Sequence, residues 1–163
     1  MKRVLIVFHT MTGGALQMAS AAERGASSEP AIIVQRLKAQ DAHAADVLDA
    51  DGYLFVTPEN LAAMAGLMKD FFDRTYYDVL DRVNGRPYAA LICAGSDGAN
   101  AARQIERICT GWRLKRVAQT LIVSTHAQTP EEIRAPKTIG SVDLARCEAA
   151  GATLAAGLAL GIY

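Results

Sequence analysis

The sequence has little of what metal centres, disulfide frameworks and extracellular scaffolds need. It carries three cysteines and three histidines in 163 residues, with no Cys-x-x-Cys pair and no Cys/His cluster, so zinc and iron–sulfur sites are not indicated. Cys93, Cys109 and Cys147 lie far apart, and we expect each to be a small buried side chain. A sparse, odd number of cysteines favours a reducing compartment, which predicts a cytoplasmic protein without a metal site.

Charge of one sign is not in excess either. Seventeen Lys and Arg balance 17 Asp and Glu, so the formal net charge is zero. A nucleic-acid-binding domain usually has a basic excess, and a carrier that charge steers to a basic partner is strongly acidic. The first apolar run, Val4–Phe8, is too short for a signal peptide or a membrane span. We therefore expect neither nucleic acid nor a membrane as a partner.

The chain has instead a regular alternation of short apolar runs and helical patterns. Hydrophobic residues make up 51% of it and charged residues 21%, which is ordinary globular composition. Unbroken apolar runs of this kind are typical of parallel strands buried on both faces. The five runs are Val4–Phe8, Ile32–Val34, Tyr53–Val56, Ala89–Cys93 and Leu121–Val123. Five strands alternating with helices predict an α/β fold: a three-layer, doubly wound parallel sheet, formed as a single domain over residues 1–163.

The gaps between these runs carry helical periods. The third gap has the clearest i, i+3, i+4 spacing, with Met64, Leu67, Met68, Phe71 and Phe72 on one face. Other helices are predicted after Gly13-Gly14, from about residue 99 to 112 and from 144 to 158, and a short Ala-rich one between 39 and 49. Pro130, Pro136 and Gly140 predict a surface loop over Thr129–Ser141.

Ligands of such sheets bind beyond the carboxyl ends of the strands. The first loop leaving those ends, His9–Ala15, is rich in hydroxyl groups and glycine and opens a helix. Free N–H groups and the helix dipole suit a phosphate there, and Thr10 and Thr12 can add O–H donors. The loop lacks Gly-Lys-Ser/Thr and Gly-x-Gly-x-x-Gly, so it is neither an NTP-hydrolysing loop nor a dinucleotide fingerprint. The alternative is a plain strand-to-helix turn with a capping threonine.

The second loop, Thr57–Leu61, contains Pro58, which fixes φ and removes a donor. Asn60 and neighbouring backbone groups can pair with the edge of a heterocycle. The alternative is a helix start with Asn60 or Glu59 near the cap.

The third loop, Ala94–Gly98, has its glycine directly before Ser96, which is the wrong spacing for a nucleophile elbow. Nothing in the sequence links His43 or His126 to that serine, so both are interpreted as surface or loop histidines. The alternative to a ligand-binding loop is a turn in which Asp97 caps the next helix.

Taken together, the loops resemble those of a known family. Thr10–Ala15 is similar to the flavodoxin-type phosphate loop, Ser/Thr-x-Thr-Gly-x-Thr. Asp51–Arg74 resembles the Asp-Gly-…-Thr/Ser-Pro-…-Gly-x-Met/Leu-Lys-x-Phe-x-Asp-Arg segment of NAD(P)H-dependent FMN reductases, and Leu91–Gly98 is similar to their third flavin loop. The resemblance runs through almost the whole chain and implies a flavodoxin-like sheet with strand order 2-1-3-4-5.

This resemblance implies an FMN site made of three groups of residues. The residues implied to bind the phosphate are Thr10, Met11, Thr12, Gly13, Gly14 and Ala15. Those implied to border one edge of the isoalloxazine are Pro58, Glu59, Asn60 and Leu61. Those implied to lie on the other side of the ring are Ala94, Gly95, Ser96, Asp97 and Gly98. Ala15 departs from the family's threonine, and losing that hydrogen bond to a charged group costs about 1.5–3 kcal/mol. Met11 adds bulk and no donor.

The implied function is that of an NAD(P)H-dependent FMN oxidoreductase with a quinone, a flavin or a similar small molecule as electron acceptor. The flavin carries the chemistry in such proteins, so no catalytic side chain is nominated, and the resemblance implies a homodimer or homotetramer. A flavodoxin-type electron carrier is the first alternative, disfavoured by zero net charge and by flavin loops without aromatic residues. A cofactor-free binding module, which Ala15 keeps open, is the second.

Overall fold

The computed structural model describes residues 1–163 and builds them around one parallel sheet. The strands are β1 (Lys2–Phe8), β2 (Ile32–Lys38), β3 (Gly52–Asn60), β4 (Ala63–Met64), β5 (Pro87–Ala94), β6 (Lys115–Arg116) and β7 (Leu121–Ser124). The helices are α1 (Gly14–Ser27), α2 (Ala44–Asp49), α3 (Gly66–Val79), α4 (Ala99–Gly111), α5 (Pro130–Arg134) and α6 (Ser141–Ala159). None of these helices has both the length and the apolar character that crossing a membrane requires.

The sheet has the order β2-β1-β3-β5, and its last position is shared by two short strands. β6 pairs with Pro87 and Tyr88 at the start of β5, and β7 pairs with Leu91–Ala94 at its end, both in parallel. The predicted order 2-1-3-4-5 is confirmed, with the fifth strand interrupted at residues 117–120. β4 is a separate arm that pairs antiparallel with the end of β3.

Alternate side chains of the central strands feed two apolar layers. Leu5, Val7 and Phe55 point into the layer covered by α2, α3 and α4. Ile6 and Leu54 point into the layer covered by α1 and α6. Because both faces of β1, β3 and β5 are covered, these strands appear in the sequence as unbroken apolar runs, and the five predicted runs all lie in strands.

Most of the bulky aromatic side chains lie in the layer under α3 and α4. The Phe55 ring lies 5.0 Å from Phe72, 6.2 Å from Tyr88 and 6.4 Å from Trp112, centroid to centroid. Phe71 and Phe72 are buried as the helical spacing predicts. These rings are therefore committed to the core, away from the loops at the carboxyl ends of the strands.

The predicted apolar face of α3 is wrong at its first turn. Met64 lies in β4, and Leu67 is largely exposed. The helix begins only at Gly66, because the chain first completes the short arm that pairs with β3. Met68 is the first buried apolar side chain of the helix.

The predicted loop over Thr129–Ser141 is also wrong in part, since it contains α5, and Ser141 begins α6. The Glu132 carboxylate accepts hydrogen bonds from the N–H groups of Gln128 (2.8 Å) and Thr129 (3.1 Å), and Thr129 Oγ1 accepts one from Glu132 N–H (3.2 Å). The bonds from Gln128 and Thr129 hold the pKa of the Glu132 carboxyl below its usual value. The Thr-Pro-Glu-Glu pattern of a capping box with proline at the first helical position was present in the sequence.

Helices α1 and α6 pack backbone to backbone through glycine. A Cβ on Gly151 would lie 1.9 Å from the Ala22 carbonyl oxygen, and a Cβ on Gly25 would lie 1.9 Å from the Glu148 carbonyl oxygen. Neither neighbour is a flexible side chain, so a larger residue forces the two helices apart.

We expect Gly151→Ala to lower the free energy of unfolding by about 1–3 kcal/mol, the usual range for overpacking. Gly111→Ala is the matched control, since Gly111 ends α4 and has open space around it; it should be neutral or slightly stabilising. Urea unfolding of both variants measures the difference. Equal stability of the two would contradict the close α1–α6 contact.

Candidate functional site

A cavity of about 640 Å³ opens at the carboxyl ends of the central strands, where the three predicted loops meet. It lies at the point where the strand order reverses between β1 and β3, the usual ligand position in such sheets. Its lining comprises Met11, Thr12, Pro58, Glu59, Asn60, Leu61, Cys93, Ala94, Gly95, Ser96, Thr125, Ala127, Ile133, Arg134 and Lys137.

The first loop turns directly into α1 through a left-handed glycine. Gly13 has φ 94°, and its N–H donates to Thr10 Oγ1 at 3.0 Å. The first intrahelical bond runs from Gln17 N–H to the Gly13 carbonyl at 3.2 Å. The N–H groups of residues 14–16 therefore have no acceptor within the helix. They form an anion-receptive end beside the cavity.

Of the six residues predicted to hold a phosphate, some line the cavity and the others form the turn behind it. Met11 and Thr12 line the cavity, whereas Thr10, Gly13, Gly14 and Ala15 shape the turn behind it. A Cβ on Gly14 would lie 2.7 Å from Cys93 Sγ, so only glycine fits between α1 and the end of β5. Ala15 is buried in the α1/α6 apolar layer.

His9, at the end of β1, adds no positive charge to this loop at neutral pH. Burial lowers the pKa of its imidazole below the ordinary value of 6.5, so the ring is neutral there.

The second loop is a β-hairpin and not a helix start, which corrects the alternative placed on Asn60 and Glu59. β3 runs on to Asn60, and the chain returns as β4 after the two residues Leu61 and Ala62, whose φ values are 49° and 62°. Positive φ at both positions is typical of the tight turns that join hairpin strands. Pro58, Glu59, Asn60 and Leu61 all line the cavity.

The hairpin is held against α4 by a carboxylate. Glu59 Oε1 accepts the N–H of Gly98 at 2.9 Å, and Oε2 accepts that of Ala101 at 3.1 Å. The cap residue of α4, Gly98, has no side chain of its own to satisfy these groups. A charged acceptor also suits the positive end of the helix dipole. Glu59 is thus the N-terminal cap of α4, supplied from another loop.

Two further bonds join the same elements. Asn100 Nδ2 donates to the Ala62 carbonyl at 2.5 Å, and Gln104 Oε1 accepts the N–H of Met64 at 2.8 Å. The alternative role of Asp97 as the helix cap is wrong: its Oδ1 makes only a 3.4 Å contact with Ala99 N–H. Sequence reasoning missed this arrangement because the capping group lies 39 residues away from Gly98.

The third loop is held by the last residue of β7 and by the residues that follow that strand. Ala94, Gly95 and Ser96 line the cavity, whereas Asp97 and Gly98 do not. Ser124 Oγ donates to the Gly95 carbonyl at 3.2 Å, and a Cβ on Gly95 would lie 2.8 Å from the Ala127 carbonyl oxygen.

Neither histidine considered beside Ser96 contacts it. His126 Nδ1 lies 3.4 Å from Ser124 Oγ, and His43 is the N-cap of α2, where its N–H donates to Asp46 at 2.8 Å. Ser96 consequently has neither of these histidines beside it as a base.

A fourth wall of the cavity was not predicted. Residues 125–139, here called the strap, contain α5 and contribute Thr125, Ala127, Ile133, Arg134 and Lys137 to the lining. The strap is bonded to the first loop: Lys137 N–H donates to the Thr12 carbonyl at 2.8 Å. Gln17 Nε2 donates to the Lys137 carbonyl at 2.7 Å, and Gln17 Oε1 accepts the N–H of Ile139 at 3.0 Å. The sequence could have predicted this wall, because the loop after the fifth predicted strand also begins at the carboxyl edge of the sheet.

The lining contains no aromatic residue. Its one thiol, Cys93, is buried, which raises its pKa, and the Lys137 ammonium lowers it by a smaller amount. The protein has no group of three or more His, Cys, Asp or Glu side chains arranged to hold a metal ion.

Comparison with known proteins gives concordant matches. The profile of the family described as NADPH-dependent FMN reductase matches residues 12–128. A flavodoxin of Aquifex aeolicus (strain VF5) is 32% identical over 98 residues, covering 60% of this chain and 53% of that protein. An NAD(P)H dehydrogenase (quinone) of Acidithiobacillus ferrooxidans (strain ATCC 53993 / BNL-5-31) is 32% identical over 95 residues, covering 46% and 48%. The chain spans about half the length of the curated relatives it matches.

Solved structures agree on the fold. A flavodoxin from the domain Archaea superimposes with a TM-score of 0.79 at 19% identity, covering 96% of this chain and 98% of that one. A WrbA-like flavodoxin from Agrobacterium tumefaciens gives 0.74 at 15% identity with 99% of each chain covered. The flavodiiron protein of Giardia intestinalis gives 0.80 at 17% identity, covering 99% of this chain and 37% of that protein.

We expect Glu59→Gln to lower the free energy of unfolding by about 1 kcal/mol, because an amide accepts through one oxygen only and carries no charge for the helix dipole. Hydrogen exchange at the Gly98 and Ala101 amides should accelerate. Asp97→Asn is the control, since Asp97 makes only the long contact described above. A loss as large for Asp97→Asn as for Glu59→Gln would mean that the cap is local.

Proposed function

The chain belongs to the NADPH-dependent FMN reductase family, and on that premise we propose that its cavity binds FMN and that NAD(P)H reduces the bound flavin on behalf of a small-molecule acceptor. The observation that carries this proposal is that the unpaired α1 amides come just after Met11 and Thr12, which line a cavity that extends to the hairpin.

The residues present fit that cofactor. The unpaired N–H groups of residues 14–16 and the positive end of α1 suit a doubly charged phosphate. A Cβ on Gly13 would meet nothing nearer than Gln17 Nε2 at 3.8 Å, so the loop is open on that side. The volume of about 640 Å³ lies within the range of small-molecule and cofactor sites. Pro58–Leu61 then border one part of the ring system and Ala94–Ser96 another.

Bound FMN supplies the hydride and electron chemistry of such a site. The chain's residues bind and orient the nucleotide and supply no proton. The cavity's one carboxylate, Glu59, has each of its oxygens engaged by a backbone N–H. The Lys137 ammonium donates to the carbonyls of Glu132, Ile133 and Ala135. Neither group is therefore free to act as an acid or a base, which supports the expectation that no side chain is catalytic.

The absence of aromatic residues from the lining favours an enzyme. Without rings stacked against the flavin, one face remains open to a nicotinamide. The balanced net charge suits a small acceptor such as a quinone or a free flavin better than a charged protein partner.

A flavodoxin-type electron carrier is the second candidate, and one observation supports it. Met11, Leu61 and Ile133 line the cavity and are exposed, so its mouth has an apolar rim on which a redox protein can dock. Leu61 also has positive φ, a strained conformation for a bulky residue. Exposure and strain of this kind at one residue add nothing to stability, which indicates a functional role.

We expect FMN to bind the stripped protein and riboflavin to bind at least about tenfold more weakly, because the α1 amides contact only the phosphate. Gly13→Ala should weaken FMN binding by straining a backbone with φ 94°. Gly85→Ala, which carries the same kind of strain at φ 77° in open space away from the cavity, should leave it unchanged. Calorimetric titration measures both. No FMN binding by the wild-type protein would refute the proposal.

We expect anaerobic NADPH to bleach the flavin absorbance of the holoprotein, and added quinone to restore it over many cycles, because the cavity leaves a flavin face accessible. Reduction by dithionite but not by NADPH or NADH would favour the electron carrier. Free FMN at the same concentration is the control for reduction outside the protein.

A further inference from the structure

The strap brings two cations to the cavity, and one of them is fully engaged. Lys137 Nζ donates to the carbonyl oxygens of Glu132 at 2.7 Å, Ile133 at 2.9 Å and Ala135 at 2.6 Å. These acceptors use all three hydrogens of the ammonium. The Lys137 ammonium therefore caps the C-terminal end of α5, where it compensates the partial negative charge of the carbonyl groups.

Arg134, the other cation, has no partner. Its side chain lines the cavity and is exposed, and it takes part in no hydrogen bond or ion pair of the protein. Glu59, the remaining charged residue of the lining, has both carboxylate oxygens engaged by backbone N–H groups. Arg134 is thus the one uncommitted charge that faces a bound ligand.

The segment that carries Arg134 is bonded to the first loop. Arg134 lies three residues before Lys137, whose N–H donates to the Thr12 carbonyl at 2.8 Å. Gln17 binds the strap at the Lys137 carbonyl, 2.7 Å away, and the first loop at the Gly13 carbonyl, 3.0 Å away. Arg134 is therefore carried on a segment that hydrogen bonds join to the first loop, and it lines the same cavity as Met11 and Thr12 of that loop.

The phosphate loop itself offers only neutral donors. They are backbone N–H groups and the hydroxyls of Thr10 and Thr12, since His9 is neutral and Ala15 has no hydroxyl. A phosphomonoester carries close to two negative charges at neutral pH. An arginine fork matches phosphate oxygens in geometry and compensates that charge.

We propose that Arg134 is a phosphate-binding residue of this cavity and that its guanidinium contacts the phosphomonoester of a bound nucleotide. The inference rests on the proposed function. Two nucleotides of that function carry this group: FMN at its terminal phosphate, and NADPH at the 2′-phosphate that distinguishes it from NADH. The chemistry is the same in both, and the experiment separates them.

The test compares Arg134→Gln and Arg134→Lys with Arg107→Gln. Arg107 is likewise an exposed arginine without a partner, but it lies on α4 outside the cavity. Calorimetry at low salt measures FMN and riboflavin on the stripped protein, and 2′,5′-ADP and 5′-AMP on the FMN-loaded protein. Thermal unfolding checks that all variants fold alike.

Arg134→Gln should weaken binding of either FMN or 2′,5′-ADP about tenfold, the size expected for one charge-assisted contact. It should leave the counterpart that lacks the tested phosphate, riboflavin or 5′-AMP, unchanged. A loss confined to FMN assigns the contact to the cofactor, and a loss confined to 2′,5′-ADP assigns it to the donor. Arg134→Lys should fall between Arg134→Gln and wild type, and Arg107→Gln should match wild type.

Binding by Arg134→Gln that equals Arg107→Gln for all four ligands would overturn the assignment, as would an equal loss for the ligands with and without the tested phosphate. In both cases the wild-type protein still binds FMN, so the proposed function stands. A wild-type protein that binds neither FMN nor 2′,5′-ADP contradicts the proposed function and the assignment together.

Discussion

The site depends on one ion-to-backbone contact, the capping of α4 by the Glu59 carboxylate. A parallel sheet delivers several loops to one edge, but nothing in the sheet itself fixes the distances between those loops. Glu59 joins the end of β3 to the start of α4 through two N–H groups that no local side chain satisfies. Leaving such groups unpaired costs about 1–3 kcal/mol each when they are buried, so the contact stabilises the loop arrangement and the helix at once.

On the other side of the cavity, the neutral side chain of Gln17 likewise joins two separate segments of the chain. Gln17 bonds to the Gly13 carbonyl, the Lys137 carbonyl and the Ile139 amide with a single side chain. The start of α1 and the strap are therefore bonded to each other, while Glu59 holds the hairpin to α4. The third loop is bonded to the strap as well, since Thr125 N–H donates to the Ala94 carbonyl at 2.8 Å. Hydrogen bonds thus link all four walls of the cavity, which is the kind of pre-organisation that lowers the entropic cost of holding a nucleotide.

The elements that the sequence predicted well are those whose signal is local. Unbroken apolar runs marked all five strands, and the helical period marked Phe71 and Phe72. The hairpin was missed because Leu61-Ala62 contains none of the glycine or asparagine that usually marks a turn with positive φ. The cap of α4 and the binding of the strap to Gln17 were missed because their partners lie far apart in the chain, 122 residues for Ile139 and Gln17. Sequence patterns over a few helical turns cannot reveal contacts between residues so far apart in the chain. The three site loops followed from the carboxyl ends of the predicted strands. Their assignment to FMN came from the resemblance, which carries long-range information that periodicity lacks.

Alanine in place of the family's threonine at position 15 removes one neutral donor, and no charge, from the proposed phosphate site. Ala15 is buried in the apolar layer that α1 and α6 form with the sheet, a layer that also contains Cys93 and Ile139. Ile139 ends the strap, and its N–H donates to Gln17 Oε1 of the same helix at 3.0 Å. Helix α1 is thus bonded to the segment that carries Arg134, the cavity's cation without a partner. In the proposed function, backbone N–H groups and two threonine hydroxyls orient the anion, and an arginine of the adjoining strap compensates its charge.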